Sequence, residues 1–306
     1  MAILQTRFPV CTLDGYELIP SGAALSDYTL NVIIEGAPVR ENAMHPLLAH
    51  GTVASDLDAV LCDPPYDIIF APARKADKAR SLLSRANVPT CTLRALDYFS
   101  ERDPYTYRHS LTVFALALLL AQDLLPGDSA VPQEIALGPS HDYGKISVPL
   151  DILLKPEGLT AEERLRMEHH TVAGYVLLAY ELRDLHGLTA HVARDHHERM
   201  DGSGYPCGRH LSDRMVEIVA ACDIYDALIT PRPYRRTSYD NRTAIETITA
   251  MAGQGKISWD IVQALVACNR TSKPRFRDCI VSLEKRGNPP TDSQYGARMA
   301  GAAATG

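Results

Sequence analysis

Apolar positions along this chain change rhythm near residue 96. Before it they come in short bursts. Tyr28-Thr29-Leu30-Asn31-Val32-Ile33-Ile34 and Asp67-Ile68-Ile69-Phe70 are β-branched and aromatic runs bounded by Gly, Pro and Asp, which predict strands. Ala76 to Ala86 sets Leu82 and Leu83 among Lys and Arg, the pattern of a surface helix, and a further short strand is expected at Val88 to Leu93. Past residue 96 the texture turns helical. Asp103-Pro104 reads as a cap followed by proline in the first turn, and His109 through Leu125 is an apolar helix that Pro126-Gly127 ends. Further helices are expected at 131–143, 160–183, 187–200, 212–229, 240–253 and 258–269, with a long loop from Asp201 to His210 across one end. The pattern therefore predicts a mainly α protein. A small mixed α/β domain at 1–95 precedes a helical bundle at 96–287, and a flexible tail at 288–306 has little to pack.

Charge and composition narrow the function classes. The net charge of −6 argues against binding of a nucleic acid duplex, which usually leaves a basic footprint. Any anionic ligand must then be met by a local cluster of positive charge. The longest apolar run, Leu111 to Ala121, has about half the length a membrane span requires, so it predicts a core helix. Residues 1–7 lack the basic start and apolar core of a signal peptide. Seven cysteines are scattered with no Cys-x-x-Cys pair, which points to a reducing compartment and a cytoplasmic location. His45 and His50, with no carboxylate or imidazole partners at ligand spacing, read as structural.

The chemistry is concentrated in one stretch. It opens with Ser140-His141-Asp142-Tyr143-Gly144-Lys145 and continues through Met167-Glu168-His169-His170. Asp195-His196-His197-Glu198-Arg199-Met200-Asp201-Gly202-Ser203-Gly204-Tyr205-Pro206 follows, then Asp223-Ile224-Tyr225-Asp226 and Arg232-Pro233-Tyr234-Arg235. Neutral imidazole and carboxylate are ligands for zinc, iron or manganese, and adjacent pairs separated by helix-length spacers suit a buried site between helices.

His141-Asp142, the downstream Gly204-Tyr205-Pro206 and the text between them resemble the HD-GYP family, metal-dependent phosphodiesterases that hydrolyse the bacterial second messenger cyclic di-GMP. The resemblance covers roughly residues 100–270 and rests on several motifs in order. It implies an HD-type helical bundle with a binuclear metal site. By that resemblance the ligands are His109, His141, His170, His196, His197 and Asp223, with Asp142 bridging two divalent ions, iron or manganese. Of the neighbours His169 and His170 only one can aim at an ion from a regular helix, since one residue turns the side chain by about 100°. Met167 three before it and Gly174 four after it favour His170. Some family members hold a third ion through an acidic residue one turn before the first histidine; here that position is Tyr105, which favours two.

The resemblance also implies hydrolysis by a metal-bridged hydroxide, with Asp142 and Lys145 as catalytic groups. Lys145, Tyr205, Arg232 and Arg235 are the expected substrate contacts, and Glu198 and Asp226 are expected to orient imidazoles or water. The product would be pGpG or GMP. Another cyclic dinucleotide such as cyclic GMP-AMP, or a nucleoside monophosphate, is a second possible substrate, and a catalytically weak binding module is a third reading. Sensing or self-association, for instance as a homodimer, is the role expected of residues 1–95, and the Gly-Tyr-Pro loop is a docking point for a diguanylate cyclase partner. Three departures from the family pattern bear on substrate fit: a short segment from Cys207 to Cys222, Glu217 in place of arginine, and Tyr143 in place of an aliphatic residue.

Overall fold

The computed structural model describes residues 4–37, 43–70, 77, 80–126, 140–232 and 237–290. An antiparallel hairpin, β1 (Val10–Cys11) with β2 (Glu17–Ile19), is followed by helix α1 (Asp27–Gly36). A second antiparallel pair, β3 (Met44–Pro46) with β4 (Asn87–Pro89), brackets α2 (Val53–Cys62) and the single turn α3 (Asp67–Phe70). The remainder is helical. It comprises α4 (Thr90–Arg102), α5 (Pro104–Leu124), α6 (Leu150–Leu153), α7 (Ala161–Glu168), α8 (His170–Leu182), α9 (Leu188–Asp195), α10 (Arg214–Ile229), α11 (Asn241–Gly253) and α12 (Trp259–Asn269).

Three expectations for the first 95 residues are corrected. The run at 28–34 is helix α1, because Ser26 caps it by accepting from Thr29 N and Asp27 sits in its first turn. A cap and a favourable dipole interaction here override β-propensity, which is a weak preference for a half-buried pleated surface. The run at 67–70 is the turn α3, which buries Ile69 and Phe70 and leaves Ile68 exposed. The strand expected at 88–93 stops at Pro89, where α4 begins. What remains of the α/β character is the two short strand pairs. Parts of the helix expected at 76–86 and of that at 131–143, together with 291–306 of the tail, lie outside the described residues.

The helical part follows most of its sequence signals, but the helix expected at 160–183 is two, α7 and α8, parting at His169, and the described end of that expected at 131–143 is turn and 3₁₀. Asp103 accepts from Thr106 N with Pro104 in the first turn, and α5 then runs 21 residues. From Thr106 to Ala121 α5 is buried almost without interruption, save Tyr107 and Arg108, and α10 is buried from Met215 to Ile229. Helices apolar all round belong at a core, and these two pack on each other. One apolar cluster runs through both halves of the chain, from Leu57, Tyr66 and Leu83 to Leu111, Phe114, Ile224 and Leu265.

A second cluster matters more for the site. It packs Val10, Ile19 and Leu30 of the N-terminal segment against Tyr143 and against Val172, Val176 and Leu177 of α8. Here the 3₁₀ turn Tyr143–Ser147, directly after Asp142, presses on the start of α8. The approach is backbone against backbone. A methyl group on Gly144 would stand 1.9 Å from the carbonyl oxygen of His170 and 2.3 Å from Gly174 N. Glycine is required at 144 so that Asp142 and His170 can meet.

Gly144→Ala is expected to lower the unfolding free energy by at least about 1–3 kcal/mol, the usual cost of forcing volume into packed structure. Gly158→Ala, where an added methyl meets nothing within 4 Å, should stay within about 0.5 kcal/mol of the parent. Denaturant unfolding of the two variants side by side checks this.

Candidate metal centre

Five segments deliver the histidines and acids. His109 lies one turn into α5, His141 and Asp142 precede the 3₁₀ turn, His170 opens α8, and Asp223 and Asp226 lie on α10. The helix expected at 187–200 ends at Asp195, so His196 and His197 lie on the turn beyond it. That ending has a consequence. Neighbours within a helix diverge by about 100°, but past its end both rings can face the same way, and their centroids are 4.2 Å apart.

The side chains gather into two groups. His109, His141 and Asp223 form one and His170, His196 and His197 the other, with the donor atoms of each group within 4.8 Å of one another. Asp142 stands between them. Its Oδ2 is 3.5 Å from His109 Nε2 and 3.4 Å from His141 Nε2, while its Oδ1 is 3.4 Å from His170 Nε2. Asp223 also reaches both sides, with Oδ1 3.2 Å from His109 Nε2 and Oδ2 4.0 Å from His197 Nδ1. All seven sequence-selected ligand candidates are thus brought together. His169 turns away and packs its ring edge-on to Phe8.

Hydrogen bonds behind the rings fix which nitrogens face inward. His170 Nδ1 donates to Met167 O at 2.6 Å, and His196 Nδ1 donates to Val192 O and Ala193 O at 3.0 Å each. His109 Nδ1 donates to Asp226 Oδ2 at 2.5 Å. Spending the ring proton outward leaves a lone pair on each inward Nε2 of a neutral ring. The Nε2 atoms of His170 and His196 lie 3.2 Å apart, as do those of His109 and His141. In the first pair both inward nitrogens then carry lone pairs, an arrangement that fits a cation between them and is unfavourable without one. The donor set passes that test.

Electrostatics point the same way. Burial lowers His170 to about 4 and His196 to about 3, and it takes His197 well below its ordinary value, so these rings are neutral ligands near pH 7. His109 behaves differently: burial alone would lower it, but Asp226, Asp223 and Asp142 raise it to about 9. Burial would raise the carboxylates, yet Lys145 and His141 outweigh it at Asp142, and His109 and His197 outweigh it at Asp223, holding both ionised. Asp226 is likewise kept low against burial, chiefly by His109. The centre is a buried store of negative charge and lone pairs, with the Lys145 ammonium on Asp142 Oδ2 at 2.6 Å.

The remaining candidates surround this centre. Tyr205 stacks on His197, ring centroids 4.5 Å apart and planes 17° apart, and its amide donates to His197 O. Gly204 makes that possible, since a methyl there would stand 2.3 Å from His197 O. Glu198 faces the loop: its carboxylate accepts from the amides of Cys207, Gly208 and Arg209. Arg232 lies with its guanidinium 5.4 Å from the Tyr105 ring, which stacks in turn on His109. Arg235 lies outside the described residues. Glu217 accepts from Ser258 N and from Arg214, tying α10 to the start of α12. Sequence reasoning did not find Tyr66 and Thr230, whose hydroxyls both meet Asp226 Oδ1. Tyr66 lies 160 residues from Asp226 and carries no motif, whereas Thr230 follows Asp226 by one helical turn, a spacing that is the one local signal available.

Known proteins resemble this chain over its helical part. The model of the HD domain family matches residues 96–260. A cyclic di-GMP phosphodiesterase of Thermotoga maritima is 40% identical over 190 residues, which cover 60% of this chain and 50% of the relative. The cyclic di-GMP phosphodiesterase PA4108 of Pseudomonas aeruginosa is 38% identical over 164 residues, covering 52% and 38%. A 3'3'-cGAMP-specific phosphodiesterase of Vibrio cholerae is 34% identical over 138 residues, covering 44% and 31%. The chain spans about half the length, or less, of these relatives. With more than half of its residues matched and its His-Asp and Gly-Tyr-Pro motifs in order, the chain belongs to the HD-domain family as an HD-GYP member.

Proposed function

We propose that this chain is a phosphodiesterase that hydrolyses cyclic di-GMP to pGpG or GMP with two divalent cations. The observation that carries the reading is the pair of His/Asp groups joined by Asp142 beside a half-buried ring and an ammonium. His109, His141 and Asp223 would hold one cation and His170, His196 and His197 the other, with Asp142 shared. Imidazole and carboxylate donors without thiolate favour iron or manganese. When bound, such a pair supplies Lewis acidity toward a phosphodiester and an activated water.

The chain's own groups bind and orient. Lys145 Nζ is held on Asp142 at the edge of the cluster, within reach of a phosphate oxygen of a diester lying across both groups. A positive group placed where charge develops in the transition state is worth more in a dry site than in water. Tyr205, held against His197, is proposed as an aromatic contact for a guanine. Arg232 and Arg235 are proposed as the second phosphate contact, a guanidinium fork suiting phosphate oxygens. These cations meet the requirement that an acidic protein carry local positive charge for an anionic ligand.

A second substrate, 3'3'-cyclic GMP-AMP, is favoured by the similarity to a relative named for it. We further propose that residues 1–95 are regulatory, that the Tyr205 loop can dock a diguanylate cyclase, and that the chain acts as a homodimer. A cytoplasmic location is supported by seven free cysteines, and no helix among the described residues is long and apolar enough to cross a membrane.

Three variants test the division of roles. Anaerobically loaded protein is expected to hydrolyse cyclic di-GMP, and His141→Ala and Asp142→Ala should abolish turnover and lose bound metal together. Lys145→Ala should retain its metal while kcat/KM falls about 10²- to 10³-fold, the cost of removing one preorganised charge partner. Metal content and turnover measured on the same samples check this, and equal metal loss from all three variants would count against it.

Turnover of cyclic di-GMP and of 3'3'-cyclic GMP-AMP, compared at equal metal loading, should favour the former by kcat/KM. Metal without turnover of either would reduce the chain to a binding module.

A further inference from the structure

The HD-family match begins at residue 96, yet the hydrogen bonds behind His109 end on a residue that precedes it by thirty positions. Tyr66 follows Pro64-Pro65 between α2 and α3 and is fully buried. Its hydroxyl donates to Asp226 Oδ1 and lies 3.2 Å from Thr230 Oγ1, and Thr230 Oγ1 also donates to Asp226 Oδ1, at 3.0 Å. The other oxygen of Asp226 accepts from His109 Nδ1. The far nitrogen of that ring faces Asp223 and Asp142. Tyr66, Asp226 and His109 are 0%, 1% and 2% exposed, so water does not substitute along this path.

A phenylalanine would fill the same apolar space without the cost of burying a hydroxyl. The hydroxyl's partner is a carboxylate that meets the outward nitrogen of His109. With Tyr66 and Thr230 on Oδ1, the carboxylate plane is fixed and Oδ2 is left for His109. Partners of this kind set the tautomer and orientation of a ligating imidazole, and losing one typically costs about 10- to 100-fold in metal affinity.

We propose that Tyr66 is a positioning residue for the His109 side of the cation site, acting through Asp226, so that the N-terminal segment sets the affinity of one of the two sites. The inference rests on the two-cation reading above. It gives residues 1–95 a specific handle on the centre: any displacement of the α2–α3 connection removes a partner of Asp226.

The test is anaerobic titration of the metal-free full chain with Mn(II), with His109→Ala used to identify the step that belongs to the His109 group. Tyr66→Phe, which keeps the ring, is expected to weaken that step about 10- to 100-fold and to leave the other unchanged. Tyr225→Phe is the control. Its hydroxyl is also buried on α10, where it donates to Asn241 and Asn269 instead of to Asp226. It measures what losing a core phenol costs, and both steps should survive it. Unchanged binding by Tyr66→Phe, equal weakening of both steps, or the same selective loss in Tyr225→Phe would each overturn the proposal. A parent protein that binds no Mn(II) would overturn the two-cation reading along with it, whereas normal parent binding with an unaffected Tyr66→Phe would overturn the inference alone.

Discussion

A carboxylate taken out of water has to be matched by positive charge, and Asp142 sets that requirement at the centre of this protein. It is 3% exposed, ionised, and placed so that each of its oxygens faces a different group of imidazoles. One ammonium, Lys145, lies against it, while Asp223 and Asp226 add two more buried negative charges within the same space. Burying charge without a partner is among the costliest things a fold can do. His109, held up to about 9 by these acids, offsets part of this, and a divalent cation at the proposed site would offset more while satisfying the inward lone pairs. The same features that make the empty arrangement expensive therefore make it selective for metal.

The backbone around Asp142 is shaped by that need. Gly144 lets the chain after Asp142 touch the first turn of α8, and Gly204 lets the loop after His197 fold back on the ligand segment. In both places a side chain is absent where two backbones must come within contact distance, and in both a ligand lies one or two residues away along the partner or the same strand of chain. Glu198 adds a further tie by accepting three consecutive loop amides, which places Tyr205 over His197. An acid beside a ligand can serve a loop and leave the imidazole to another partner, here the carbonyls of Val192 and Ala193.

The sequence makes the helical half legible because its signals are local and strong. Asp103-Pro104 is a cap and a first-turn proline, and Thr160 with Glu163 forms a capping box at the start of α7. The ligand candidates are legible as motifs, but whereas only His170 of its pair faces the cluster, His196 and His197 both do, because the helix stops a turn earlier than its pattern predicts. The N-terminal segment was legible only as small and mixed. Ser26 was the available signal that Tyr28–Ile34 is helical, and it was outweighed by a β-branched run whose burial depends on what packs against it.

Tyr66 marks the limit of such reading. Its partner lies 160 residues away, and nothing in Pro64-Pro65-Tyr66 distinguishes a core tyrosine from one whose hydroxyl supports a ligand. Only the folded arrangement assigns that difference, because a buried hydroxyl takes its meaning from the group it bonds. The same argument applies at Phe8, which lies under the Arg166 guanidinium and against the edge of His169, at the junction where α7 gives way to the ligand helix α8. Two contacts from the first 95 residues thus lie near the centre, one on Asp226 behind His109 and one on His169, the neighbour of His170. A segment that packs into the same core as the helices, and meets Asp226 behind His109 and the neighbour of His170, is joined to the surroundings of the centre by one hydrogen bond and by packing.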